Sequence, residues 1–282
     1  MIEQLIDQLI DTAIREDIGD GDHSSQSCIP AGAQGKMYLL VKEDGVLAGV
    51  EMAKRIFARI DPAIVLDVHI NDGSKVKQGD IVLHASGKVW SLLQAERLVL
   101  NVMQRMSGIA TCTASYVKRL EGTGTRVLDT RKTTPGMRYL EKEAVRLGGG
   151  VNHRMGLYDM VMLKDNHIDF AGGIENAVQQ VKSYLKEKGK DLKIEVEVRN
   201  WDELEEVMRV GGIHRIMLDN FTVADTRRAV DFIGGKFETE SSGGITMDTL
   251  RDYAECGVDY ISVGALTHHI KSLDLSLKAM DE

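Results

Sequence analysis

IEVEV (194–198), IMLDN (216–220) and FETESSGG (237–244) share one pattern, a short β-like run that ends in carboxylates, hydroxyls or glycines. Short runs rich in β-branched and apolar residues, bounded by turn residues, predict strands. Six such runs follow one another after residue 124, and they are Arg126–Asp129, Met160–Leu163, Lys193–Val198, Arg215–Leu218, Phe237–Glu240 and Tyr260–Val263. The second half of the chain is therefore predicted to contain a six-stranded sheet.

Helical patterns separate these strands, and this alternation decides how the strands pair. Apolar residues recur at helical spacing in Ile174–Lys188, Trp201–Val210, Val223–Ile233 and Met247–Cys256. Because parallel strands need a crossover connection, alternating strands and helices predict a parallel sheet. The segment is about two-thirds as long as a full eightfold barrel. We therefore predict an α/β protein whose residues 111–270 form a truncated TIM-like α/β barrel, the catalytic domain.

The first part of the chain has a different pattern of predicted helices and strands. Residues 2–16 carry an apolar face at helical spacing, and glycines at 19 and 21 end that helix. Short β-like runs such as Met37–Val41 and Ile64–Ile70 flank one helix near Val50–Ile60. We predict an N-terminal open α/β sandwich domain over residues 1–110, joined by a C-terminal strand within residues 271–282. Residues 90–120 are predicted to be helical.

Composition limits the classes of partner and compartment. The 282 residues carry a formal net charge of −8, which argues against nucleic acid and anionic membranes as partners. The acidic, amphipathic N-terminus is unlike a signal peptide, and no window is apolar enough for a transmembrane helix. Three widely separated cysteines form neither a zinc motif nor a disulfide framework. We expect a cytoplasmic protein.

Basic side chains cluster where the predicted strands end, against the charge of the whole chain. Residues 126–167 contain eight Lys or Arg but five Asp or Glu. Arg131 and Lys132 follow the first barrel strand, His153 and Arg154 precede the second, and Lys164 follows it. Arginine binds a carboxylate through two parallel hydrogen bonds, so this set suits a dicarboxylate or pyrophosphate. The alternative is a solvated basic face whose charges are balanced by protein carboxylates.

Glycines and carboxylates complete the predicted barrel mouth. Ser242-Gly243-Gly244 and Val263-Gly264-Ala265 end the last two strands, which is the usual phosphate position in barrels. Glu197 and Asp219 end neighbouring strands, where carboxylates bind Mg²⁺ or sugar hydroxyls or stabilise a cationic transition state. Only one face of the IEVEV strand points inward, and we favour Glu197 as its functional acid. The alternative is that these acids cap the helices that follow.

Several long strings closely resemble quinolinate phosphoribosyltransferase, the decarboxylating nicotinate-nucleotide pyrophosphorylase. They are EDIGDGD (16–22), AERLVLNVMQRMSGIAT (95–111), LDTRKTTPGMRYLEKEAVRLGGGVNHRMGLYDMVMLKDNHI (128–168), SSGGI (241–245) and VGALTH (263–268). The resemblance extends over nearly the whole chain, and the block from residue 128 to residue 168 is its most specific part. It implies a homodimer with shared active sites, a requirement for Mg²⁺ and a place in NAD synthesis.

The resemblance also implies a reaction and a set of roles. Phosphoribosyl pyrophosphate and quinolinate would give nicotinate mononucleotide, pyrophosphate and CO₂. Lys132, Lys164, Glu197 and Asp219 would be catalytic, the last two also facing the metal. By motif, the residues that bind substrate would be Arg97 from the partner subunit, Arg131, Lys132, His153, Arg154, Lys164, Glu197, Asp219, Ser242, Gly243, Gly264 and His268.

Three alternative functions stay open from the sequence. A paralogue could act on another ring acid, or be a molybdenum-transport-associated relative, but the dicarboxylate-type basic set disfavours both. A biotinyl or lipoyl carrier is suggested by the turn at 72–80, which lacks an acceptor lysine between methionines. A non-catalytic ligand sensor is the third. Assaying release of pyrophosphate and CO₂ separates them all.

Overall fold

The structure, a computed structural model, describes residues 2–280, and its contacts divide the chain into two compact units. The first unit comprises the residues up to Ala114, then Thr133–Gly149, and the residues from Ala265 onward. The second unit, called the barrel unit below, comprises Ser115–Lys132 and Gly150–Gly264.

A four-stranded antiparallel sheet with the order β12-β1-β5-β3 is the centre of the first unit. Its strands are β1 (Gln34–Val41), β3 (Val65–Val68), β5 (Ile81–Lys88) and β12 (Leu275–Ala279), and a separate pair is formed by β2 (Gly45–Val46) and β4 (Lys75–Val76). Leu39 is fully buried opposite Leu277 and Leu83, so one face of the sheet belongs to the core. β12 is shorter than the strand predicted for residues 271–282. Residues 281 and 282 lie outside the described residues.

Four helices accompany this sheet, and all but the short second one were predicted from the periodicity. They are α1 (Ile2–Ile18), α2 (His23–Cys28), α3 (Val50–Ile60) and α4 (Val89–Arg119), whose residues from Ser115 onward belong to the barrel unit. Arg55 of α3 donates hydrogen bonds to Glu3 and Asp7 of α1 at 2.6 and 2.8 Å. The acidic face of α1 is therefore matched to a basic face of α3.

Residues 133–149 were assigned to the barrel domain from the sequence, but their contacts place them in the first unit. This segment contains α5 (Arg138–Leu147), which packs on α4. Glu141, fully buried, forms an ion pair with Arg105 at 2.6 Å, and a side chain at Gly148 would meet the carbonyl oxygen of Ala110 at 2.4 Å. Close backbone approach and a buried ion pair thus hold α5 against α4. The short helix α11 (Ala265–His268) also belongs to the first unit.

A six-stranded parallel sheet with the order β6-β11-β10-β9-β8-β7 forms the barrel unit. Its strands are β6 (Arg126–Leu128), β7 (Val161–Leu163), β8 (Ile194–Val198), β9 (Arg215–Asp219), β10 (Glu238–Ser242) and β11 (Tyr260–Ser262). The helices between them are α6 (Asp165–Ala171), α7 (Ile174–Lys188), α8 (Trp201–Val210), α9 (Val223–Ile233) and α10 (Leu250–Ala254). The predicted strands and the parallel sheet are confirmed.

The parallel sheet is curved into a barrel, because residues far apart in the strand order touch. His153 follows Val151, which bridges to β6, yet its Nε2 atom lies 3.1 Å from Glu195 of β8. Strands β6 and β8 are four positions apart, which is about 19 Å in a flat sheet. On the outer face, the apolar residues of β8 pack with helix residues such as Leu204 and Val207. The predicted fold class is thus confirmed, and polar side chains occupy the inner face.

Candidate active site

The carboxyl ends of β7 and β8 bring a lysine and a glutamate together. Lys164 directly follows β7, and its Nζ atom donates a short hydrogen bond to an oxygen of Glu197, the fourth residue of β8. The Glu197 side chain is 8% exposed, whereas that of Lys164 is 43% exposed. Burial of the acid requires a cationic partner, and Lys164 supplies it while still facing solvent.

The carboxyl ends of the next two strands, β9 and β10, lie close together. Asp219 ends β9 and accepts a hydrogen bond from the side chain of Asn220, Nδ2 to Oδ2, at 2.7 Å. The backbone N–H of Asn220 donates to the carbonyl oxygen of Ser242 at 2.9 Å. Gly243 follows with φ of +97°, and a side chain there would lie 2.2 Å from Asn220 Oδ1. Only glycine therefore fits between these two strand ends.

Two arginines give the barrel unit a strongly basic region near β6. Arg131 and Lys132 are exposed, whereas Arg154 is 9% exposed. Burial and the neighbouring charge of Arg131 lower the pKa of Arg154. Two like charges held together in this way favour a bound anion, which would relieve their repulsion.

His153 lies one layer of side chains below the strand ends, in a buried charge cluster. Its Nε2 atom is 3.1 Å from Glu195 Oε2 and 3.5 Å from Glu240 Oε2. Arg215 reaches the same Glu240 oxygen at 3.0 Å and stacks over the Tyr260 ring at 4.1 Å. Two cationic groups thus face two carboxylates inside the barrel, as burial of charge requires.

Burial alone would lower the pKa of His153, but the carboxylates of Glu195 and Glu240 outweigh it and raise the pKa to about 9. Burial, followed by the charge of Glu240, raises the pKa of Glu195 to about 7. A carboxyl with this pKa exchanges its proton near neutral pH. Each charged group in the cluster therefore faces a partner of opposite charge, and none is buried as an isolated ion.

Sequence reasoning missed Glu195, Glu240 and Arg215, although a signal for them was present. Side chains two residues apart in a strand point to the same face. Glu195 therefore shares the inward face with Glu197, and Glu240 shares it with Ser242. The choice between the two acids of IEVEV was unnecessary, because both are buried.

Two cavities differ in chemical character. One, of 380 Å³, is lined by basic residues together with polar and methionine side chains, namely Asn152, His153, Arg154, Met155, Asp159, Met160, Lys193 and Arg215. The other, of 710 Å³, is open and mainly apolar, and includes Phe170 and Tyr184 of α6 and α7. The first has the more basic lining, but Met160, Lys193 and Arg215 lie at the amino ends of their strands, opposite the ends that carry Lys164, Glu197 and Asp219.

Two predicted site residues belong to the first unit and are described there. Arg97 lies on α4 with an exposed side chain. His268 is the last residue of α11, is exposed, and makes an edge contact with His269 at 4.4 Å between ring centroids. The other ten predicted residues all lie in the barrel unit, among them Gly264, which follows β11.

Comparison with known proteins identifies relatives of both units. Residues 22–107 match the family model described as the N-terminal domain of quinolinate phosphoribosyl transferase, and residues 109–278 match that of its C-terminal domain. Quinolinate phosphoribosyltransferase (decarboxylating) 1b from Nicotiana tabacum is 45% identical over 285 residues, covering 96% of this chain and 81% of that protein.

A bacterial protein and a crystal structure give the same result. The probable nicotinate-nucleotide pyrophosphorylase (carboxylating) of Bacillus subtilis is 41% identical over 271 residues, covering 96% of this chain and 92% of that protein. The crystal structure of NadC from Streptococcus pyogenes superposes with a TM-score of 0.91 at 40% identity, covering 98% of this chain and 97% of that one. The resemblance seen in the sequence is confirmed.

Proposed function

The chain belongs to the quinolinate phosphoribosyltransferase family, and we propose that the strand ends of its barrel unit carry out the family reaction. That reaction joins quinolinate to phosphoribosyl pyrophosphate and gives nicotinate mononucleotide, pyrophosphate and CO₂, a step of NAD synthesis. The observation that carries the proposal is the meeting of Lys164 with the buried carboxylate of Glu197 at the carboxyl ends of β7 and β8, one strand away from Asp219 at the end of β9.

Quinolinate is a dicarboxylate, and it suits this basic region. Arg131, Lys132 and Arg154 would bind its carboxylates, with His153 beneath them. Each of the two arginines can form two parallel hydrogen bonds to a carboxylate. A monocarboxylate can pair in this way with only one of them. A ligand with one carboxylate would make fewer of these charge-assisted hydrogen bonds, each of which contributes about 1.5–3 kcal/mol.

Ser242, Gly243 and Gly264 would hold the 5′-phosphate, as the motif implies. The left-handed backbone at Gly243 leaves its N–H free of side-chain crowding, so a phosphate oxygen can approach closely. Glu197 and Asp219 would face the ribose. Both follow the inward alternation of neighbouring strands, so their carboxylates lie at one edge of the sheet.

The same two carboxylates fit Mg²⁺, which prefers hard oxygen ligands and often retains water and substrate phosphate as further ligands. Bound there, the metal would neutralise charge on the pyrophosphate. Lys164 pairs with Glu197 and so lies beside the carboxylates that would hold the metal, where its ammonium group would bind the pyrophosphate.

The reaction requires the protein to position the substrates and to stabilise charge, and it does not require a strong base. The pyridine nitrogen is already a lone-pair nucleophile, and the bond from the anomeric carbon to pyrophosphate breaks through a cation-like state. Glu197 and Asp219 would stabilise that positive charge, and Lys132 with Lys164 would receive the departing anion. Once the ring nitrogen is quaternised, the bond from the ring to the adjacent carboxylate breaks, CO₂ leaves, and the ring carbanion takes a proton from water to give nicotinate mononucleotide.

The experiment that tests this function measures pyrophosphate and CO₂ released from quinolinate, phosphoribosyl pyrophosphate and Mg²⁺. We expect both products in equal amounts, and none when nicotinate replaces quinolinate. Release of pyrophosphate without CO₂, or equal activity with nicotinate, would contradict the proposal.

Three free thiols are compatible with a reducing compartment, and we propose the cytoplasm.

A homodimer with shared sites is part of the proposal, with exposed Arg97 acting in the partner's active site. Arg97→Ala and Arg131→Ala should each be inactive alone. In a mixed dimer one site carries both defects and the other carries none, so random mixing restores roughly a quarter of all sites. If Arg97 acts within its own chain, each mixed site keeps one defect and no activity returns.

A further inference from the structure

Two histidines and an aspartate lie together on one face of the four-stranded sheet of the first unit. Asp67 of β3 is directly opposite His84 of β5, and His84 is opposite Tyr38 of β1. His69 comes two residues after Asp67 and so points to the same face. The proposed reaction uses none of these residues.

The three ligand atoms are already close to one another. His69 Nε2 lies 2.8 Å from His84 Nδ1 and 3.8 Å from Asp67 Oδ2. One nitrogen from each histidine and one oxygen from the aspartate all lie within 4.8 Å of one another. Ligands of a tetrahedral zinc ion, each about 2.0–2.1 Å from the metal, are about 3.4 Å apart. Small side-chain rotations would therefore bring all three atoms to that spacing.

We propose that Asp67, His69 and His84 bind a divalent transition-metal cation, with Zn²⁺ as the best-matched ion. Imidazole is a borderline ligand that suits Zn²⁺, Ni²⁺ and Cu²⁺, whereas Mg²⁺ prefers sites built from oxygen alone. The metal would replace the proton that the two imidazoles share in their 2.8 Å contact. The His69 side chain is 39% exposed, so solvent can supply a fourth ligand.

The position in the sheet indicates what the metal would do. β3 is the edge strand of the order β12-β1-β5-β3, and its outward residues are the more exposed ones. Asp67 and His69 come from this edge region, whereas His84 comes from the neighbouring strand. A metal bound by all three would fasten the edge strand to the interior of the sheet. Binding to the folded chain alone would then raise its stability.

The experiment uses the full chain in a Cys28→Ser background, because Cys28 is exposed and thiols also bind these metals. Co²⁺ replaces Zn²⁺ as the spectroscopic probe, since tetrahedral Co²⁺ bound to nitrogen absorbs visible light. Zn²⁺ affinity is measured by competition against bound Co²⁺, and the melting temperature is recorded with and without Zn²⁺. The variants are His69→Ala, His84→Ala and Asp67→Asn.

A matched control is His23→Ala. His23 is an exposed histidine whose Nε2 atom lies 3.5 Å from Asp20, but it contacts no second histidine among the described residues. We expect stoichiometric Co²⁺ absorption that each site variant weakens about tenfold or more, and that His23→Ala leaves unchanged. Zn²⁺ should raise the melting temperature of the parent and of His23→Ala, but not of His84→Ala.

Two results would overturn the proposal. One is the absence of stoichiometric Co²⁺ absorption from a folded parent chain. The other is binding that survives in His69→Ala and His84→Ala as strongly as in His23→Ala. The melting temperature of each variant without metal shows whether it folds, so loss of binding cannot be confused with loss of structure. Mg²⁺-dependent activity should be unchanged in all the variants, which separates this site from the proposed active site.

Discussion

Gly243→Ala is the most informative single substitution in the barrel unit, because its cost follows from the geometry. The backbone has φ of +97°, and the new methyl group would lie 2.2 Å from Asn220 Oδ1 and 2.9 Å from the Asn220 backbone nitrogen. That nitrogen donates a hydrogen bond to Ser242, so the backbone cannot retreat without breaking the turn. A left-handed conformation costs alanine about 1–2 kcal/mol, and overpacking adds about 1–3 kcal/mol. We expect a loss of about 2–5 kcal/mol.

Gly244→Ala is the matched control. Gly244 has φ of +61°, but a side chain there would meet nothing within 4 Å. It should therefore lose only the conformational part, about 1–2 kcal/mol. A third variant combines Gly243→Ala with Asn220→Gly, which removes the side-chain clash and keeps a residue suited to the left-handed backbone at position 220. This double variant should recover part of the lost stability.

The assay is urea unfolding followed by tryptophan fluorescence. The chain has two tryptophans, and in a Trp90→Phe background the remaining one, Trp201 at the start of α8, reports on the barrel unit. The denaturation midpoint should fall in the order wild type, Gly244→Ala, Gly243→Ala. If the two alanine variants unfold at the same urea concentration, the close approach of the strand ends does not decide the need for glycine, and the reasoning is refuted.

Three further predictions concern ligands and pH. Arg131→Lys keeps the charge but loses the paired hydrogen bonds, so kcat/KM should fall about 30-fold, equivalent to about 2 kcal/mol; near-wild-type kinetics would make Arg131 a surface charge. Quinolinate should raise the melting temperature more than nicotinate does, because one carboxylate leaves a cation unpaired; equal shifts would count against a dicarboxylate site. The raised pKa of His153 means that protonation of its ring stabilises the folded state fully below pH 6.5, and that this contribution is lost as the pH rises to about 9. Unfolding free energy should fall over that interval, and Glu195→Gln should flatten the fall, whereas an unchanged slope would exclude His153 as its source.

The strands of the barrel unit could be predicted because their signals are local. β8 and β9 are bounded by polar or glycine residues and carry outward apolar side chains at every second position, so pattern alone sets their positions. The residues that directly follow a strand, such as Lys164 and Gly264, could be assigned to the sheet edge for the same reason. Parallel pairing then brings those ends together whatever the details of the connections.

The domain boundary needed information that is not local. Residues 133–149 lie between two barrel strands in sequence, yet α5 is fixed to α4 by the Arg105–Glu141 ion pair and by the backbone contact at Gly148. Arg105 is one of three arginines in α4 and Glu141 is one of two glutamates in α5, and the sequence does not mark these two as partners. The amphipathic pattern of α5 shows only that one face is buried, and not what covers it.

The same distinction between local and non-local information applies to single side chains inside the barrel. Alternation along β8 requires Glu195 and Glu197 to share a face, which the sequence states directly. That His153 meets Glu195 at 3.1 Å is a consequence of curvature, since it follows a bridge to β6, four strands away from β8 in the sheet order. Burying two carboxylates in that interior is tolerable only because curvature brings His153 to them and because Arg215 lies on β9, the strand between theirs. The charge cluster is therefore a property of the curved sheet and not of any single strand.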